Sequence, residues 1–311
     1  MRLNFIYFNF DKSQLIKNLN KVDIKEFLED NLKKINSKCF ICFCDLGSDN
    51  LSKEHIIPKW LFKKFNQTNG EIKLGNSSNL KYQRLTIPAC KDCNNGLLSE
   101  IEQDFKLILE ENFTNLTFED ELTIAQWTLK VMLGTILKET ILDKDIRNRG
   151  EKILSFEEIQ KLIPLFILLQ SVKYETKFEN GKPWSLFITT FDSEDYDYQS
   201  HSFFKSASFK FGKIGFTITF DDSGYYKKAI TNEFKFTNLS HKQFIVLAYS
   251  FFSLRSNELK DLTAHKEITS NILLIKNKKL FFKPKILLDK NFLTKYNHLI
   301  EIYQKRSNVN S

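Results

Sequence analysis

The stretch CFICFCDLGSDNLSKEHIIPKW, residues 39–60, and the stretch IPACKDCNN, residues 87–95, decide how this chain is expected to fold. Each contains a pair of cysteines separated by two residues. The four cysteines are Cys39, Cys42, Cys90 and Cys93. Two sulfurs at this spacing can reach one metal ion from a tight turn, and two such pairs form a four-thiolate zinc site. The spacing therefore predicts one structural Zn²⁺ bound by all four cysteines.

The distribution of cysteine along the chain favours a metal site over disulfides. All five cysteines lie between residues 39 and 93, and the 218 residues that follow contain none. A disulfide framework needs an oxidising compartment, whereas the N-terminal sequence MRLNFIYFNFDKSQ has no signal-peptide cleavage site. We therefore expect a cytoplasmic protein. Four unrelated thiols are the alternative to the zinc site, and Cys44 is expected to pack beside the first pair.

The composition is that of a soluble globular protein. Hydrophobic residues make up 42% of the 311 residues and charged residues 27%, and the 30 Phe residues can fill a sizeable core. The length suits one large or two ordinary domains. The longest apolar runs, such as LIPLFILL at 162–169, are far too short to cross a bilayer. No membrane partner is expected.

The positive charge is concentrated at the C-terminal end. The chain has a formal net charge of +8, and residues 266–311 contain ten Lys or Arg against three Asp or Glu. Clustered positive charge favours a polyanionic partner such as nucleic acid, and a solvated basic tail is the alternative. Five lysines on a predicted hairpin are expected to contact phosphates: Lys276, Lys278, Lys279, Lys283 and Lys285.

The periodicity of apolar residues predicts an α+β protein in three parts. Residues 1–37 form a strand and a helix that pack on a module at 38–112, and residues 113–311 form a Phe-rich α+β domain. In that last part, helices are predicted over about 121–143 and 155–170. Strands follow at 172–178, 184–191, 202–212 and 214–220, and a helix covers 240–256. A hairpin at 271–288 and a helix at 291–306 complete the chain.

The residues around the two cysteine pairs carry a family resemblance. The order is cysteine pair, strand ending in Glu54-His55, connection, second strand, cysteine pair, and a helix that begins with Asn94-Asn95. EHIIP followed by IPACKDCNN resembles the HNH endonuclease family, whose core is a ββα-metal finger. The resemblance covers roughly residues 38–105. It implies that the 38–112 module is a zinc-containing HNH nuclease module.

The resemblance implies a metal-dependent endonuclease that hydrolyses DNA, with RNA as the alternative substrate. Glu54 and Asn94 would bind Mg²⁺ or Mn²⁺, and His55 would be the general base. If the helix after the second cysteine pair is aligned one residue later, Asn95 takes the place of Asn94. The residue types fit, since a neutral imidazole can take a proton at neutral pH and Mg²⁺ prefers oxygen ligands. Adjacent side chains on an extended strand point to opposite sides, so both can serve one site only at a bulge or a strand end.

The sequence departs from the family pattern in two places. Leu85 stands five residues before the third cysteine, where the family usually has an asparagine that orients the histidine loop, and Asn79 is the nearest candidate. The acid before the histidine is Glu rather than the commoner Asp. Glu100 and Glu102 follow on the helix. Support of the metal ligands by one of these two acids is the alternative, and we expect an exposed helix face.

The sequence is also compatible with functions of other classes. The rival class is a non-catalytic zinc-finger protein that binds nucleic acid or acts as a scaffold, since a scaffold needs only the four cysteines. The resemblance also implies a restriction or antiviral defence effector of a bacterium, with an activating partner protein as a further alternative. Four histidines have no motif around them and are expected to be structural or surface residues: His201, His241, His265 and His298.

Overall fold

The computed structural model describes most of residues 24–252 and two later strands. Within 24–252 the undescribed positions are 112, 114, 175, 179–181, 202–204, 223, 225, 228–236, 246 and 250. The later strands are Ile272–Lys276 and Lys279–Lys283, which fall within the hairpin predicted at 271–288. The strand predicted at 2–10, the start of the N-terminal helix, the helix at 291–306 and the side chains of the five hairpin lysines lie outside the described residues.

The described chain is a mixture of helix and sheet, as predicted, and it divides into two compact units. The first unit contains residues 1–177 and 275–280, and the second contains residues 178–274 and 281–311. Across the described residues, no helix combines the length and the apolar character that crossing a membrane requires.

The first unit begins with the part of the chain that holds the cysteines. Its first elements are α1 (Ile24–Leu32), β1 (Leu51–His55), α2 (Lys59–Lys64), β2 (Glu71–Lys73), β3 (Asn79–Lys81) and β4 (Thr86–Cys90). Strand β1 pairs antiparallel with β4 in regular register, so that Leu51 lies opposite Cys90 and His55 opposite Thr86. A π-helical turn, Cys93–Leu98, follows β4 and leads into α3 (Ser99–Glu111).

Helix α4 (Phe118–Ile141) packs against α3 and β4. Its first turn is held by a capping box between Thr117 and Asp120. The Trp127 ring stacks on Phe105 of α3 with centroids 4.0 Å apart. At Gly134 an added Cβ would lie 3.0 Å from Ile56, so glycine allows α4 to approach the chain just after His55. This helix, which the sequence pattern predicts in the domain at 113–311, lies in the first unit.

The rest of the first unit is shorter and more broken than its pattern predicts. The elements are β5 (Asp143–Asp145), β6 (Asn148–Lys152), α5 (Phe156–Ile159), α6 (Ile163–Leu169) and β7 (Thr176–Phe178), whose last residue belongs to the second unit. The helix predicted over 155–170 is divided into α5, a 3₁₀ turn (Gln160–Leu162) and α6. Pro164 in the first turn of α6 has no backbone N–H, so a new helix starts there more readily than the old one continues.

The second unit is built on an antiparallel sheet of four strands in the order β8-β11-β10-β9. The strands are β8 (Trp184–Thr190), β9 (Tyr196–His201), β10 (Ser206–Phe211) and β11 (Ile214–Phe220). The described residues between 241 and 252 are helical, in agreement with the predicted helix. Phe244 and Phe251 of this segment contact Phe191 and Phe187 at ring distances of 5.5 and 5.0 Å, so phenylalanine fills this core as expected.

Candidate metal centre and adjoining polar site

The four paired cysteines come together in one buried cluster, as the spacing predicts. The Sγ atoms of Cys39, Cys42, Cys90 and Cys93 all lie within 4.8 Å of one another. Cys42 Sγ and Cys90 Sγ are 3.7 Å apart, whereas a disulfide needs about 2.05 Å. A tetrahedral zinc site with Zn–S bonds of about 2.3 Å places its sulfurs roughly 3.8 Å apart. The size of the cluster therefore fits a Zn²⁺ ion.

Backbone hydrogen bonds shape both turns of the cluster. Phe43 N–H donates to the Cys39 carbonyl at 2.8 Å, and Cys39 N–H donates to the Cys44 carbonyl at 3.0 Å. In the second turn, Cys93 N–H points at Cys90 Sγ at 3.4 Å. The local chain therefore closes each turn around its sulfurs. Phe40 N–H donates to the Pro88 carbonyl at 3.4 Å and so joins the first turn to β4.

Hydrogen bonds among the four thiols shift pKa values within the cluster in opposite directions. Hydrogen bonds from Cys39, Cys42 and Cys93 lower the pKa of Cys90 strongly. Hydrogen bonding within the cluster raises the pKa of Cys39 and of Cys93. Several thiolates cannot share so small a buried volume unless a cation neutralises them, and zinc binding is the reaction that releases their protons.

Two further side chains adjoin the cluster. Cys44 is half-buried and outside the set of four, and burial raises its pKa to about 11. The Tyr174 hydroxyl is buried and has no hydrogen-bond partner among the described residues. Burial, followed by the charges of Cys42 and Cys93, raises the pKa of Tyr174. Tyr174 therefore remains a neutral O–H group near the sulfurs, and the sequence carried no signal for it.

His55 is the last residue of β1. At the end of a strand, a side chain is less enclosed by neighbouring strands than one in the middle. His55 is half-exposed and pairs with Thr86 without a bulge. Burial lowers the pKa of His55, and the nearby charges of Lys59 and Lys130 lower it further. The imidazole is therefore neutral at pH 7 and able to accept a proton.

Asn94 faces β1, whereas Asn95 does not. Asn94 is half-buried and donates a hydrogen bond from Nδ2 to Ser52 Oγ at 2.6 Å, while Asn95 is exposed. Ser52 lies two residues before Glu54 and so on the same side of β1. The amide of Asn94 and the carboxylate of Glu54 therefore lie on one face of this strand, and Asn94 keeps its Oδ1 for another contact.

Glu54 lies in a buried charged cluster with two residues of the following helices. Its side chain is 7% exposed, and Oε1 lies 2.5 Å from Lys130 Nζ. The same ammonium group lies 2.7 Å from Glu102 Oε1 and donates to the His55 carbonyl at 2.6 Å. Lys130 of α4 therefore contacts both the carboxylate of Glu54, the predicted acid, and the backbone carbonyl of His55, the predicted base. The opposite environments of Glu54 and His55 agree with their alternation along the strand.

Lys130 is a functional candidate that the sequence did not reveal, whereas Glu102 was the less favoured alternative on the helix after the second cysteine pair. Lys130 is fully buried in the apolar run of α4, where the surrounding pattern predicts only core. The expectation of an exposed helix face is wrong for Glu102, whose side chain is 22% exposed. Burial, together with the charge of Glu54, raises the pKa of Glu102 despite the opposing effect of Lys130. For Lys130, the signal that the sequence offered was one lysine among the apolar positions of the helix.

The position of the expected asparagine is a core position in this chain. Leu85 is completely buried, and its carbonyl accepts a hydrogen bond from Ile56 N–H at 3.0 Å. Asn79 begins β3. The chain after His55 is therefore fixed by a backbone hydrogen bond and by Lys130.

Lysines near the site differ in their availability. Lys59, Lys63 and Lys91 are exposed, whereas Lys64 forms an ion pair with Glu110 at 2.7 Å. Lys59, Lys63 and Lys91 can therefore contact a phosphate backbone directly, whereas Lys64 would first have to leave Glu110.

No family model, curated protein or solved structure matches this chain.

Proposed function

We propose that the first unit is a metal-dependent endonuclease of the HNH class that hydrolyses phosphodiester bonds of DNA. In this proposal, Zn²⁺ at the four cysteines is structural, His55 is the general base, and Glu54 and Asn94 hold a catalytic Mg²⁺ or Mn²⁺. The observation that carries the proposal is the convergence of the two cysteine pairs. That convergence puts the strand ending in Glu54-His55 beside the helix that starts with Asn94.

The geometry suits the base role of His55. Hydrolysis requires a water molecule to lose its proton as it attacks phosphorus, and the lowered pKa of His55 keeps its imidazole neutral for this purpose. The half-exposed position at the end of β1 leaves the ring open to a substrate. His55 therefore takes the proton, and its carbonyl, held by Lys130, keeps the strand end in place.

The oxygen donors on the opposite side of β1 suit a hard cation. The Asn94 amide oxygen and the Glu54 carboxylate are the two groups proposed to bind it. When bound, Mg²⁺ or Mn²⁺ stabilises the negative charge that develops on the phosphate and the leaving oxygen. The hydrogen bond from Asn94 to Ser52 orients the amide so that Oδ1 is the remaining acceptor.

DNA is the substrate favoured by the resemblance, with RNA as the alternative. The exposed side chains of Lys59, Lys63 and Lys91 give this part of the chain positive groups for phosphates. An anti-phage role and an activating partner protein rest on the resemblance alone. Their test is whether cells that express the protein survive phage infection better than cells that express the His55→Ala variant.

A non-catalytic zinc-binding scaffold is the second candidate, and one observation favours it. The Glu54 carboxylate is already paired with Lys130 in a buried setting. If that pair is permanent, Glu54 serves only to attach β1 to α4.

Cleavage of nucleic acid separates the two candidates. Zinc-loaded protein is incubated with supercoiled plasmid, single-stranded DNA and RNA in Mg²⁺ or Mn²⁺, with EDTA as the control. The nuclease predicts nicked or linear products that need the divalent ion and disappear with His55→Ala. Intact substrates under every condition, or equal cleavage by the folded variant, would overturn the nuclease assignment.

A further inference from the structure

The Lys130 ammonium group occupies the centre of three converging oxygen atoms. Glu54 Oε1 lies at 2.5 Å, the His55 carbonyl at 2.6 Å and Glu102 Oε1 at 2.7 Å. The two strand residues and the α3 residue thus aim their oxygens at one point, and α4 supplies the cation. The side chain of Lys130 is only 1% exposed, so this contact is shielded from water.

The chemistry of this cluster is that of a filled cation site. An ammonium group has three N–H donors, and each has one oxygen acceptor here. Two carboxylates and a carbonyl are also the oxygen ligands that hard divalent ions take. Two acidic side chains face one ammonium group, so the cluster offers more carboxyl groups than one monovalent cation needs.

We propose that Lys130 is a positioning residue whose ammonium group competes with a divalent metal ion for the Glu54 carboxylate. The inference rests on the proposed function only for the role of Glu54 as a metal ligand. In the state described here, Lys130 holds Glu54 and the His55 carbonyl together and keeps the carboxylate from the metal. Metal binding requires the ammonium group to withdraw from Glu54, which its flexible four-carbon chain permits.

Competition has consequences that a purely structural ion pair lacks. A structural pair affects stability but leaves the affinity for divalent ions unchanged. A competing ammonium group weakens metal binding in the wild type, and its removal creates a site in which two carboxylates share a divalent ion. The stability of that variant then depends on the metal, because a ligand that binds only the folded state stabilises it.

The test measures Mn²⁺ binding by the full-length, zinc-loaded protein through electron paramagnetic resonance, together with the melting temperature. Lys130→Met is expected to bind Mn²⁺ at least tenfold more tightly than wild type and to melt higher when Mn²⁺ is added. Adding Glu54→Gln to Lys130→Met should abolish both effects. Lys138→Met is the matched control because Lys138 lies on the same helix, and it is expected to behave as wild type.

The results that overturn the inference are distinct from failure of the nuclease assignment. Equal Mn²⁺ affinity in wild type and Lys130→Met, or a gain that survives Glu54→Gln, shows that Lys130 does not compete for Glu54. If Lys130→Met does not fold, Lys130→Met combined with Glu102→Gln leaves a single buried carboxylate and is measured in the same way. Tighter Mn²⁺ binding without cleavage by any variant retains the competition and rejects the nuclease.

Discussion

Asn94 donates a hydrogen bond from Nδ2 to Ser52 Oγ at 2.6 Å. This bond joins the helical turn after the second cysteine pair to β1, on the side of the strand that also carries Glu54. The two residues are 42 positions apart in the chain. The bond therefore depends on the closure of the whole cysteine module, and it fixes the direction of the Asn94 side chain.

Replacing Asn94 tests whether its amide oxygen serves the proposed metal site. Asn94→Ala removes both the oxygen and the bond to Ser52. We expect a higher Mg²⁺ concentration for half-maximal cleavage, and we expect excess Mg²⁺ to restore part of the rate. Metal titrations of the cleavage rate measure this effect. Asn95→Ala is the matched control because Asn95 is adjacent and exposed; an equal shift in both variants would contradict the assignment to Asn94.

His55→Ala is expected to remove cleavage while leaving the fold and zinc content unchanged. General-base catalysis is typically worth about 10²–10⁴-fold in rate, and the cysteine cluster does not include the imidazole. Initial cleavage rates, zinc content and circular dichroism measure the three properties. His241→Ala, which replaces an exposed histidine of the second unit, provides the control. A zinc-loaded His55→Ala protein that cuts at the wild-type rate would exclude His55 as the base.

Loss of one cysteine should unfold the module that carries the site. Binding of Zn²⁺ by four thiolates contributes roughly 10–16 kcal/mol in isolated zinc fingers, and Cys90 lies at the end of β4 within the cluster. Cys90→Ser is therefore expected to lower the zinc content and expose β1 to proteolysis. Cys44→Ser is the control, since Cys44 lies outside the set of four. Full zinc content in Cys90→Ser would contradict the four-cysteine site.

The stability of the zinc module should fall as the pH falls. Zn²⁺ binds thiolates, so protons compete with it for the sulfurs. Zinc release into a chromophoric chelator, followed during acidification from pH 7, measures the effect. Release that increases towards alkaline pH would contradict thiolate ligation.

Gly215→Ala should destabilise the second unit. A Cβ atom at this position would lie 2.1 Å from the Phe209 carbonyl and 2.8 Å from the Phe191 ring, so the β10–β11 pair must separate to accept it. Overpacking typically costs about 1–3 kcal/mol, and contact with a backbone atom places this change at the upper end. Denaturant unfolding measures it. Gly47→Ala, where nothing lies within 4 Å, should be close to neutral, and equal effects would refute the clash.

The local sequence pattern was sufficient to predict the cysteine cluster and much of the secondary structure. Two cysteines two residues apart meet in any tight turn, so the ligand set could be predicted from spacing. Alternation along β8, β10 and β11 and the helical period of α4 were also visible in the chain. Strand β9 and the β5–β6 pair went unpredicted, because their polar residues give little periodicity.

The sequence by itself determined the four cysteines, the strand that ends in His55 and the helix that follows the second pair. Only the tertiary structure decided that Lys130 lies against Glu54, Glu102 and the carbonyl of His55, a residue 75 positions earlier in the chain. Spacing governs contacts within one turn or strand, since neighbouring residues have few conformations to choose from. A buried charge is tolerated only where packing supplies its partners, and those partners come from separate elements that meet when the core forms.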